Sequence, residues 1–256
     1  MSSLARMLSI LDLFDDEVSS LDADQIIAAL RYSRPTGYRY VRELVSAGLL
    51  VRTSGGYALG PRIIELDWHI RRFDPVLAAS RPIVEALAAR SGCSVTQMGI
   101  YGERIITVDH VSGPEPLAIG FGRGRPMPLF RGAPSRAIVA FMPRARQKRL
   151  YESHRDALPP EIRRLGFARF HNRMLSVRRA GYAVSIGELD PDKVGIAAPL
   201  RSRGQVSGSL CLVLTTTRYA TSNQDLLAEL IVDGTRRIND ALIEYAARIH
   251  ESGSDT

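Results

Sequence analysis

The pattern of apolar and polar positions divides the chain into two parts with different periodicities. In the first part, apolar side chains recur at helical spacing in residues 4–14, 22–30 and 34–48. Asp22 and Gln25 provide a capping box for the second of these helices. Two short β-type runs follow, LLVRT and YAL, and the SGG between them is a hairpin signal. Three helices and a hairpin predict a winged helix-turn-helix.

The remainder of the chain begins with helices and then alternates. Residues 61–74 predict a linker helix, and residues 75–92 predict another helix. Strands are expected for CSVTQMGIY, RIITVDHV, YAVSIGE, KVGIAAPL and QVSGSLCLVLT. Further helices are expected at residues 134–152, 168–180 and 222–249. Antiparallel strands with helices on one side indicate an α+β fold class.

These segments define the expected domain boundaries. Residues 1–60 form the winged helix-turn-helix, and residues 61–74 form the linker helix. Residues 75–250 form the second domain, an α/β unit in which helices and strands are mixed. The last residues, 251–256 (ESGSDT), are polar and are expected to fray.

Composition excludes several classes of protein. Charged residues make up 24% and hydrophobic residues 45%, as in ordinary globular proteins. No apolar run is long enough to span a bilayer, and the N-terminus lacks the features of a signal peptide, so we expect a cytoplasmic protein with no membrane partner. Cys93 and Cys211 are too few for a disulfide framework or a four-cysteine metal site. The five histidines are scattered without metal-ligand spacing, so no metal is expected.

Motifs typical of enzymes are weak in this chain. Residues 120–125 (GFGRGR) superficially resemble a phosphate-binding loop, but Pro126 and Pro128 follow them where a helix would be required. His110 stands beside Asp109, but neighbouring residues of a strand point to opposite faces. We therefore predict no catalytic residues and no cofactor.

The net charge of +7 is unevenly distributed. Residues 12–24 contain six acids and no base, whereas residues 31–62 contain six arginines and one acid, Glu43. Residues 123–179 contain fifteen lysines and arginines against three acids. Arginine outnumbers lysine along the whole chain, as a bias in coding composition would produce. Such a bias is as good an explanation of the total charge as phosphate recognition is. The local pattern is therefore better evidence for a nucleic-acid partner than the total is.

On a helix at 100° per residue, residues 34–48 separate into two arcs. The apolar arc, with Tyr38 at its edge, contains Gly37, Val41, Leu44, Val45 and Gly48. The opposite arc contains Pro35, Thr36, Arg39, Tyr40, Arg42, Glu43 and Ser46. The guanidinium groups of arginines in such a stripe can form two hydrogen bonds with a guanine edge in the major groove, or bind a phosphate. A solvated amphipathic helix is the alternative interpretation, and the neighbouring hairpin with Arg52 favours DNA binding.

Several separated motifs carry a resemblance to a known family. LARMLSILDLF, PTGYRYVRELVSAGLL and GGYALGPRIIEL resemble the N-terminal domain of the IclR family of bacterial transcriptional regulators. MPLFRGAPSRAIVAFMP and GYAVSIGELDPDKVGIAAPL resemble the effector-binding domain of that family. The resemblance covers about residues 2–245. It implies a winged helix-turn-helix, a linker helix that pairs subunits, and a GAF-like effector-binding domain, assembled as dimers or tetramers on palindromic operators.

The helix face and the resemblance together select the expected DNA-binding residues. They are Arg34, Thr36, Tyr38, Arg39, Tyr40, Arg42, Arg52, Gly55, Gly56 and Tyr57. The resemblance matches Thr36, Tyr38, Arg39 and Arg42 to recognition-helix positions, and Gly55, Gly56 and Tyr57 to the wing. Gly37 departs from the family, which more often has a larger residue there. A glycine costs the helix about 1 kcal/mol, so Gly37 either permits a close helix contact or reflects drift.

An effector site needs an apolar concave surface with a few polar groups. The loop 121–135 corresponds to the segment that lines the pocket in the family, and the residues expected to contact an effector are Phe121, Met127, Leu129, Phe130, Ala133, Ser135, Glu188, Asp190, Cys211 and Val213. Ala133 and Ser135 begin a helix whose amides are expected to face a carboxylate. Strand alternation places Cys211 and Val213 on one face, where the family more often has polar residues. The alternative for the methionine and phenylalanines is packing in the core.

The linker helix has a strongly apolar surface for a segment between two domains. Its apolar side chains are Ile63, Ile64, Leu66, Trp68 and Ile70. A partner helix from a second copy of the chain would cover them, and packing on its own domain is the alternative.

These observations predict a homo-oligomeric transcriptional regulator. Its partners would be double-stranded operator DNA and a small anionic effector such as an aromatic acid. The alternative is a small-molecule-binding protein of the same fold with weak or altered DNA binding, and an enzyme has the least support.

Overall fold

The computed structural model describes residues 2–115, 117–202 and 204–252. Contacts within the chain define two compact units, Met1–Asp74 and Pro75–Thr256. Among the described residues, no helix has the length and apolar character needed to cross a membrane.

The first unit contains helices followed by a hairpin and a last helix. The helices and strands are α1 (Ser3–Leu8), α2 (Ala23–Leu30), α3 (Arg34–Ser46), β1 (Leu50–Thr53), β2 (Gly56–Leu59) and α4 (Arg62–Phe73). The expected capping box is present, since the Asp22 carboxylate accepts from the Gln25 amide at 2.8 Å and the Gln25 side chain accepts from the Asp22 amide at 2.8 Å. The winged helix-turn-helix predicted from the sequence is therefore confirmed as a fold.

The first helix is shorter than the sequence predicts. The apolar periodicity of residues 4–14 predicts one helix, but α1 ends at Leu8 and a single 3₁₀ turn follows at Leu11–Leu13. The Ser9 hydroxyl donates to the Arg6 carbonyl at 2.9 Å, so it competes with the backbone amides that would continue the helix. The break directs Ile10 into the core, where it is fully buried.

The core of the first unit joins the helices to the hairpin. Ile26 of α2, Leu44 of α3 and Leu50 of β1 are almost completely buried in one cluster. Leu21 pairs with Tyr57 of β2 through two backbone hydrogen bonds of 2.9 and 2.8 Å. The hairpin is thus attached to the helices through both its side chains and its backbone.

Gly37 allows α3 to approach α2 closely. A β-carbon at this position would lie 2.2 Å from Cγ1 of Ile27. The close-contact alternative for this glycine is therefore confirmed, and the helix propensity lost at Gly37 is the cost of that packing.

We expect Gly37→Ala to destabilise the first unit by about 1 to 3 kcal/mol, because overpacking outweighs the roughly 1 kcal/mol of helix propensity that alanine gains. Thermal or urea unfolding measures the change. Ile27→Ala in the same chain should recover part of the loss, because it removes the side chain that the new methyl group meets. Equal destabilisation by Gly37→Ala with and without Ile27→Ala would contradict this explanation.

The second unit is a sheet between helices. Its helices and strands are α5 (Pro75–Ser91), β3 (Ser94–Tyr101), β4 (Arg104–Val111), β5 (Pro126–Met127), α6 (Ala133–Ala140), α7 (Arg144–Ser153), α8 (Pro160–Ala180), β6 (Ala183–Ile186), β7 (Lys193–Ser202), β8 (Gln205–Thr215), α9 (Thr216–Thr221) and α10 (Gln224–Ser252). The sheet order in the described residues is β5-β4-β3-β8-β7-β6, and neighbouring strands are antiparallel.

Helices cover both faces of this sheet. Leu210, Leu212 and Leu214 of β8 pack in the cluster that contains residues of α5 and α10. Cys211 of β8 belongs to the other cluster, together with Ala137 of α6. The α+β class and the alternation along β8 are confirmed, whereas the expectation of helices on one side of the sheet was wrong. The central strands lack a solvent-facing polar side, so both faces require cover.

One expected helix is interrupted, and another begins earlier than expected and contains a kink. The helix expected at 134–152 is divided into α6 and α7, because Pro143 precedes Arg144 and takes an extended conformation. In α8, Gly166 has φ 70° and ψ 159°, which kinks the helix before the expected segment 168–180. At the C-terminus α10 continues to Ser252, and residues 253–256, the rest of the tail that is expected to fray, lie outside the described part.

Candidate DNA-binding surface and effector cleft

The recognition helix α3 and the hairpin form one groove in the first unit. The groove encloses about 1130 Å³ including its open mouth, and its lining residues are Pro35, Tyr38, Arg39, Arg42, Val45, Arg52 and Tyr57. Five of the ten residues predicted to bind DNA therefore lie together on one surface. Arg39, Arg42 and Arg52 make this surface strongly cationic, as phosphate recognition requires.

Two arginines of α3, Arg34 beside the groove and Arg42 in it, are weakly held by the protein itself. Arg34 lies 3.8 Å from a carboxylate oxygen of Asp24, and Arg42 lies 3.9 Å from one of Glu43. Both arginine side chains are 77% exposed. Exposed ion pairs of this length contribute little stability and are easily exchanged for another anion. The guanidinium groups are therefore available to a DNA backbone or base edge.

Tyr38 and Thr36 have short local contacts. The Tyr38 phenol donates to an Asp24 carboxylate oxygen at 3.3 Å, and the Thr36 hydroxyl accepts from the Ser33 hydroxyl at 2.9 Å. The Tyr38 side chain is about half exposed. Both side chains thus lie at the solvent side of α3 and near its N-terminal end, where phosphates are favoured.

Tyr40 is buried in the core of the first unit, which corrects its placement on the polar arc. Its ring packs edge-on against the Tyr32 ring at 5.6 Å, and its hydroxyl lies 2.9 Å from the Ser3 hydroxyl of α1. The tyrosine side chain is long enough to reach Tyr32 and α1, so its ring is buried while its hydroxyl still has a hydrogen-bond partner. Tyr40 is therefore not available to contact DNA in this conformation.

The wing glycines differ in their surroundings. Gly55 is exposed at the tip of the hairpin. Gly56 has φ 124°, and a β-carbon there would lie 2.4 Å from the Leu21 carbonyl oxygen. Gly56 therefore serves the close backbone approach of Leu21 to the hairpin, whereas a role of Gly55 in DNA contact remains a prediction.

A cleft opens in the second unit beside β3, β7 and β8. It encloses about 460 Å³ including its open mouth. Six of the expected effector-binding residues line it: Phe121, Met127, Glu188, Asp190, Cys211 and Val213. The remaining lining residues include Thr96, Met98, Ile119, Leu189, Lys193 and Gly195, which sequence reasoning missed.

The missed residues belong to strands that meet only in the folded sheet. Thr96 of β3 stands opposite Cys211 of β8, and Gly195 of β7 stands opposite Val213. The Thr96 side-chain oxygen is buried and has no hydrogen-bond partner among the described residues. Alternation along β3 gives the face of Thr96, but the strand order that places it beside Cys211 depends on long-range pairing.

The N-terminus of α6 is already occupied by groups of the protein, which corrects the expected role of Ala133 and Ser135. The Gly132 amide donates to a Glu188 carboxylate oxygen at 2.9 Å, and the Ala133 amide donates to the Ser185 hydroxyl at 2.9 Å. Ala133 and Ser135 are fully buried outside the cleft lining. The carboxylate at the Gly132 amide is therefore that of Glu188, which also forms an ion pair with Arg136, while the Ala133 amide is satisfied by a hydroxyl.

Leu129 and Phe130 line a different cleft from the one around Cys211. That cleft lies against α6 and α8, and it shares only Glu188 with the first among the described lining residues. Phe130 packs edge-on against Phe170 of α8 at a centroid distance of 5.7 Å. The loop 121–135 contributes to both clefts because Pro126–Met127 forms the short strand β5 in its middle.

Lys193 is the cation that lines the first cleft. Its ammonium lies 3.9 Å from Asp190 and 3.3 Å from Asp192. The Lys193 side chain is only 15% exposed, so water screens these ion pairs less than it screens those of α3. The cleft therefore combines an apolar wall, a buried hydroxyl and a paired cation at its rim.

Comparison with known protein families identifies the chain. An IclR helix-turn-helix domain matches residues 3–54, and a bacterial transcriptional regulator IclR C-terminal domain matches residues 72–240. The chain belongs to the IclR family of bacterial transcriptional regulators. It is accordingly a transcriptional regulator with a DNA-binding helix-turn-helix and a C-terminal effector domain.

Individual relatives agree with this assignment over almost the whole chain. The HTH-type transcriptional regulator KipR of Bacillus subtilis is 23% identical, with 93% of this chain and 95% of KipR covered. An IclR-family transcriptional regulator from Brucella abortus has a similar fold, with a TM-score of 0.79, 22% identity, and coverage of 94% and 92%. An IclR homologue from Microbacterium hydrocarbonoxydans, solved with 4-hydroxybenzoate, has a TM-score of 0.73, 20% identity, and coverage of 95% and 100%.

The linker helix α4 of this IclR-family chain has an apolar surface without cover in its own unit. It has no buried residue, and it exposes 74% of Ile64 and 54% of Trp68. Ile70 and Phe73 are also more than half exposed. Packing on its own unit, the alternative for this helix, half-buries Ile63 but leaves these four side chains exposed.

The two cysteines and His110 lie in buried surroundings in this IclR-family chain. Asp109 accepts from Arg81 of α5 at 2.9 Å, whereas the Nε2 atom of His110 has no hydrogen-bond partner among the described residues and burial lowers the pKa of His110. No group of three metal-ligating side chains occurs in the described part of the chain. Burial raises the pKa of Cys211 to about 12 and also raises the pKa of Cys93.

We expect both thiols to be inert in the folded protein, because the thiolate is the reactive form and burial disfavours it. At pH 8 a disulfide reagent such as DTNB should titrate almost no thiol per native chain. In denaturant it should titrate two, for Cys93 and Cys211. Rapid reaction of one thiol in the native protein would contradict the burial of these residues.

Proposed function

We propose that the protein binds a specific operator through α3 and the hairpin, and that a small anionic effector in the cleft beside Cys211 modulates this binding. The convergence of Arg39, Arg42 and Arg52 in one groove carries the first half of the proposal. A helix with arginines directed into a major groove reads guanine edges, while a wing arginine contacts the neighbouring backbone. A bacterial DNA-binding regulator acts in the cytoplasm, where the DNA is.

An anisotropy titration against the intergenic DNA upstream of the protein's own coding region tests operator binding. Scrambled DNA serves as competitor, and the titration is repeated across a salt series. We expect nanomolar, saturable binding that resists the competitor, as for specific sites. Weak binding that is equal for both DNAs and is lost by about 200 mM salt would mean that the arginines attract DNA only non-specifically, through their charge. Effector binding alone would then be the function left to the chain.

For the effector we propose an aromatic monocarboxylate. The IclR homologue solved with 4-hydroxybenzoate supports this class, since it has the same fold. In the present chain, Phe121 and Met127 offer an apolar wall, and Lys193 offers a cation that a ligand carboxylate can take from Asp190. An apolar wall with one cation beside it matches the chemistry of a planar apolar body with one anionic end.

The effector assignment is tested with 4-hydroxybenzoate as the probe in the operator titration. Val213→Glu places bulk and a negative charge in the cleft, so we expect it to abolish the response to the probe and to spare operator binding. Ile186→Gln, at an exposed position outside the cleft lining, is the control and should respond like the wild type. An unchanged response in Val213→Glu would place the effector elsewhere.

We propose that α4 pairs two copies of the chain. The exposed apolar side chains of α4 support this, because a helix in water with Ile64, Trp68 and Ile70 uncovered favours a partner helix. Two recognition helices could then address half-sites about one helical turn apart or a multiple of it.

Trp68→Glu should dissociate the assembly and weaken operator binding, because a charge would replace an apolar contact at its centre. Sedimentation velocity measures the association state. Ala168→Glu adds the same charge at an exposed position of α8 and should leave the association unchanged. A wild-type protein that sediments as a monomer at micromolar concentration would contradict pairing through α4.

A further inference from the structure

The second cleft of the effector domain has its own walls. It lies between the loop 129–131, α6 and the two arms of α8 on either side of the Gly166 kink. With its open mouth it encloses about 1810 Å³, which exceeds the first cleft and provides room for a small organic molecule. The kink in α8 creates this space, because a straight helix would bring both arms into one line.

The inner wall of this cleft is apolar. It is formed by Leu129, Phe130, Leu158, Ile162, Phe170 and Met174. The rings of Phe130 and Phe170 meet edge-on at 5.7 Å, and both residues line the cleft, Phe170 as a nearly buried part of its inner wall. Such a wall favours a hydrocarbon chain or ring over a fully polar ligand.

The rim of the cleft is cationic. Arg131, Arg136 and Arg173 line it, against the carboxylates of Glu161 and Glu188. Arg136 is committed to the Glu188 carboxylate, and Arg131 donates to the Glu188 carbonyl oxygen. Arg173 forms no ion pair and no side-chain hydrogen bond within the described residues. A guanidinium group without a partner can bind the carboxylate of a ligand in a bidentate manner. The apolar wall beside it would contact the hydrocarbon part of the same ligand.

We propose that this cleft is a second ligand site, for an amphipathic monocarboxylate whose carboxylate pairs with Arg173 and whose hydrocarbon part packs against Phe130 and Phe170. Arg173, which has neither an ion pair nor a side-chain hydrogen bond among the described residues, selects one carboxylate. The apolar wall selects an aliphatic or aromatic body over a sugar or a phosphate ester.

Glu188 couples the second site to the first. It lines both clefts, and its carboxylate and carbonyl oxygens hold Arg136 and Arg131 at the rim of the second. A carboxylate bound at Arg173 adds negative charge beside these two arginines and competes with Glu188 for them. Leu189 and Asp190, the next residues along the chain, line the first cleft. Occupation of one cleft therefore changes the affinity of the other, and the effect is reciprocal.

Calorimetric titration of the full-length protein with octanoate tests the second site. Octylammonium, with the same chain length and the opposite charge, is the ligand control, and we expect octanoate to bind at least tenfold more tightly. Arg173→Met keeps most of the apolar stem and should weaken octanoate binding about tenfold, the value of one charge-assisted contact. Arg169→Met removes the same charge from an exposed position of α8 outside the cleft lining, and its affinity should stay within about twofold of the wild type.

Val213→Glu separates the two clefts in the same assay, because it obstructs only the first. Octanoate binding that persists in Val213→Glu and falls in Arg173→Met supports the second site. The proposal is overturned if octanoate does not bind the wild type at millimolar concentration, if Arg173→Met binds it like the wild type, or if Val213→Glu abolishes binding. None of these results depends on operator binding or on the response to 4-hydroxybenzoate, so failure of the second site is distinct from failure of the proposed function.

Discussion

Replacing Arg39 and Arg42 together with alanine should weaken operator binding by about 30-fold to more than a thousandfold, since each arginine that contacts a base contributes roughly 1 to 3 kcal/mol. The two guanidinium groups lie in the groove between α3 and the hairpin. The exposed ion pair of Arg42 to Glu43 is too weak to withhold that side chain from the DNA. The fold should be unaffected, because neither residue is buried.

The salt dependence of this double variant distinguishes the two kinds of contact. Loss of base contacts should relax the preference for the operator over scrambled DNA. Loss of phosphate contacts should lower affinity equally for both DNAs and reduce the salt slope by about one per contact. Arg169→Ala removes an exposed arginine of the second unit and is the charge control. Unchanged operator affinity in the double variant would refute the assignment of α3 as the reading helix.

Leu44→Ala should destabilise the first unit by about 2 to 5 kcal/mol, because it leaves a cavity at a residue that is only 1% exposed. Leu44 joins α3 to the same cluster as Ile26 of α2 and Leu50 of β1. A domain of this size buries a smaller fraction of its surface than a larger one and has little stability to lose. We therefore expect operator binding to disappear well below the unfolding temperature of the second unit.

Differential scanning calorimetry of the full-length chain measures this separation. The transition of the first unit should move to lower temperature in Leu44→Ala, while the transition of the second unit should not move. Leu44→Met conserves the volume and should cost less than about 1.5 kcal/mol. A loss of operator binding in Leu44→Met as large as in Leu44→Ala would show that the residue acts by something other than packing.

The first unit could be predicted almost completely because its signals are local. The capping box of Asp22 and Gln25 defines the start of α2, and Pro35 at the start of α3 defines the other helix of the motif. Periodicity places Val41 and Leu44 in the core, where the structure has them. Tyr40 was misplaced because a helical arc gives the direction of a side chain but not the distance to the next helix. Its side chain reaches α1, and the sequence of α3 alone gives no information about where α1 lies.

The effector domain shows the opposite balance. Alternation along β8 places Cys211 and Val213 together, and both line the first cleft. Phe121 and Met127 follow from the loop that the family resemblance identifies. The Glu188 carboxylate accepts from the Gly132 amide at the start of α6. No local sequence pattern indicates that the protein itself supplies a carboxylate there.

The sequence by itself determined the family, the order of helices and strands, and the arginine stripe of the recognition helix. These follow from caps, periodicity and motifs that span a few residues each. Only the tertiary structure decided that Thr96, Lys193 and Cys211 share one cleft, and that Glu188 stands between this cleft and a second one. Such neighbours come from different strands and helices, and their meeting depends on strand order and on the kink of α8, which pairing and packing over the whole domain determine.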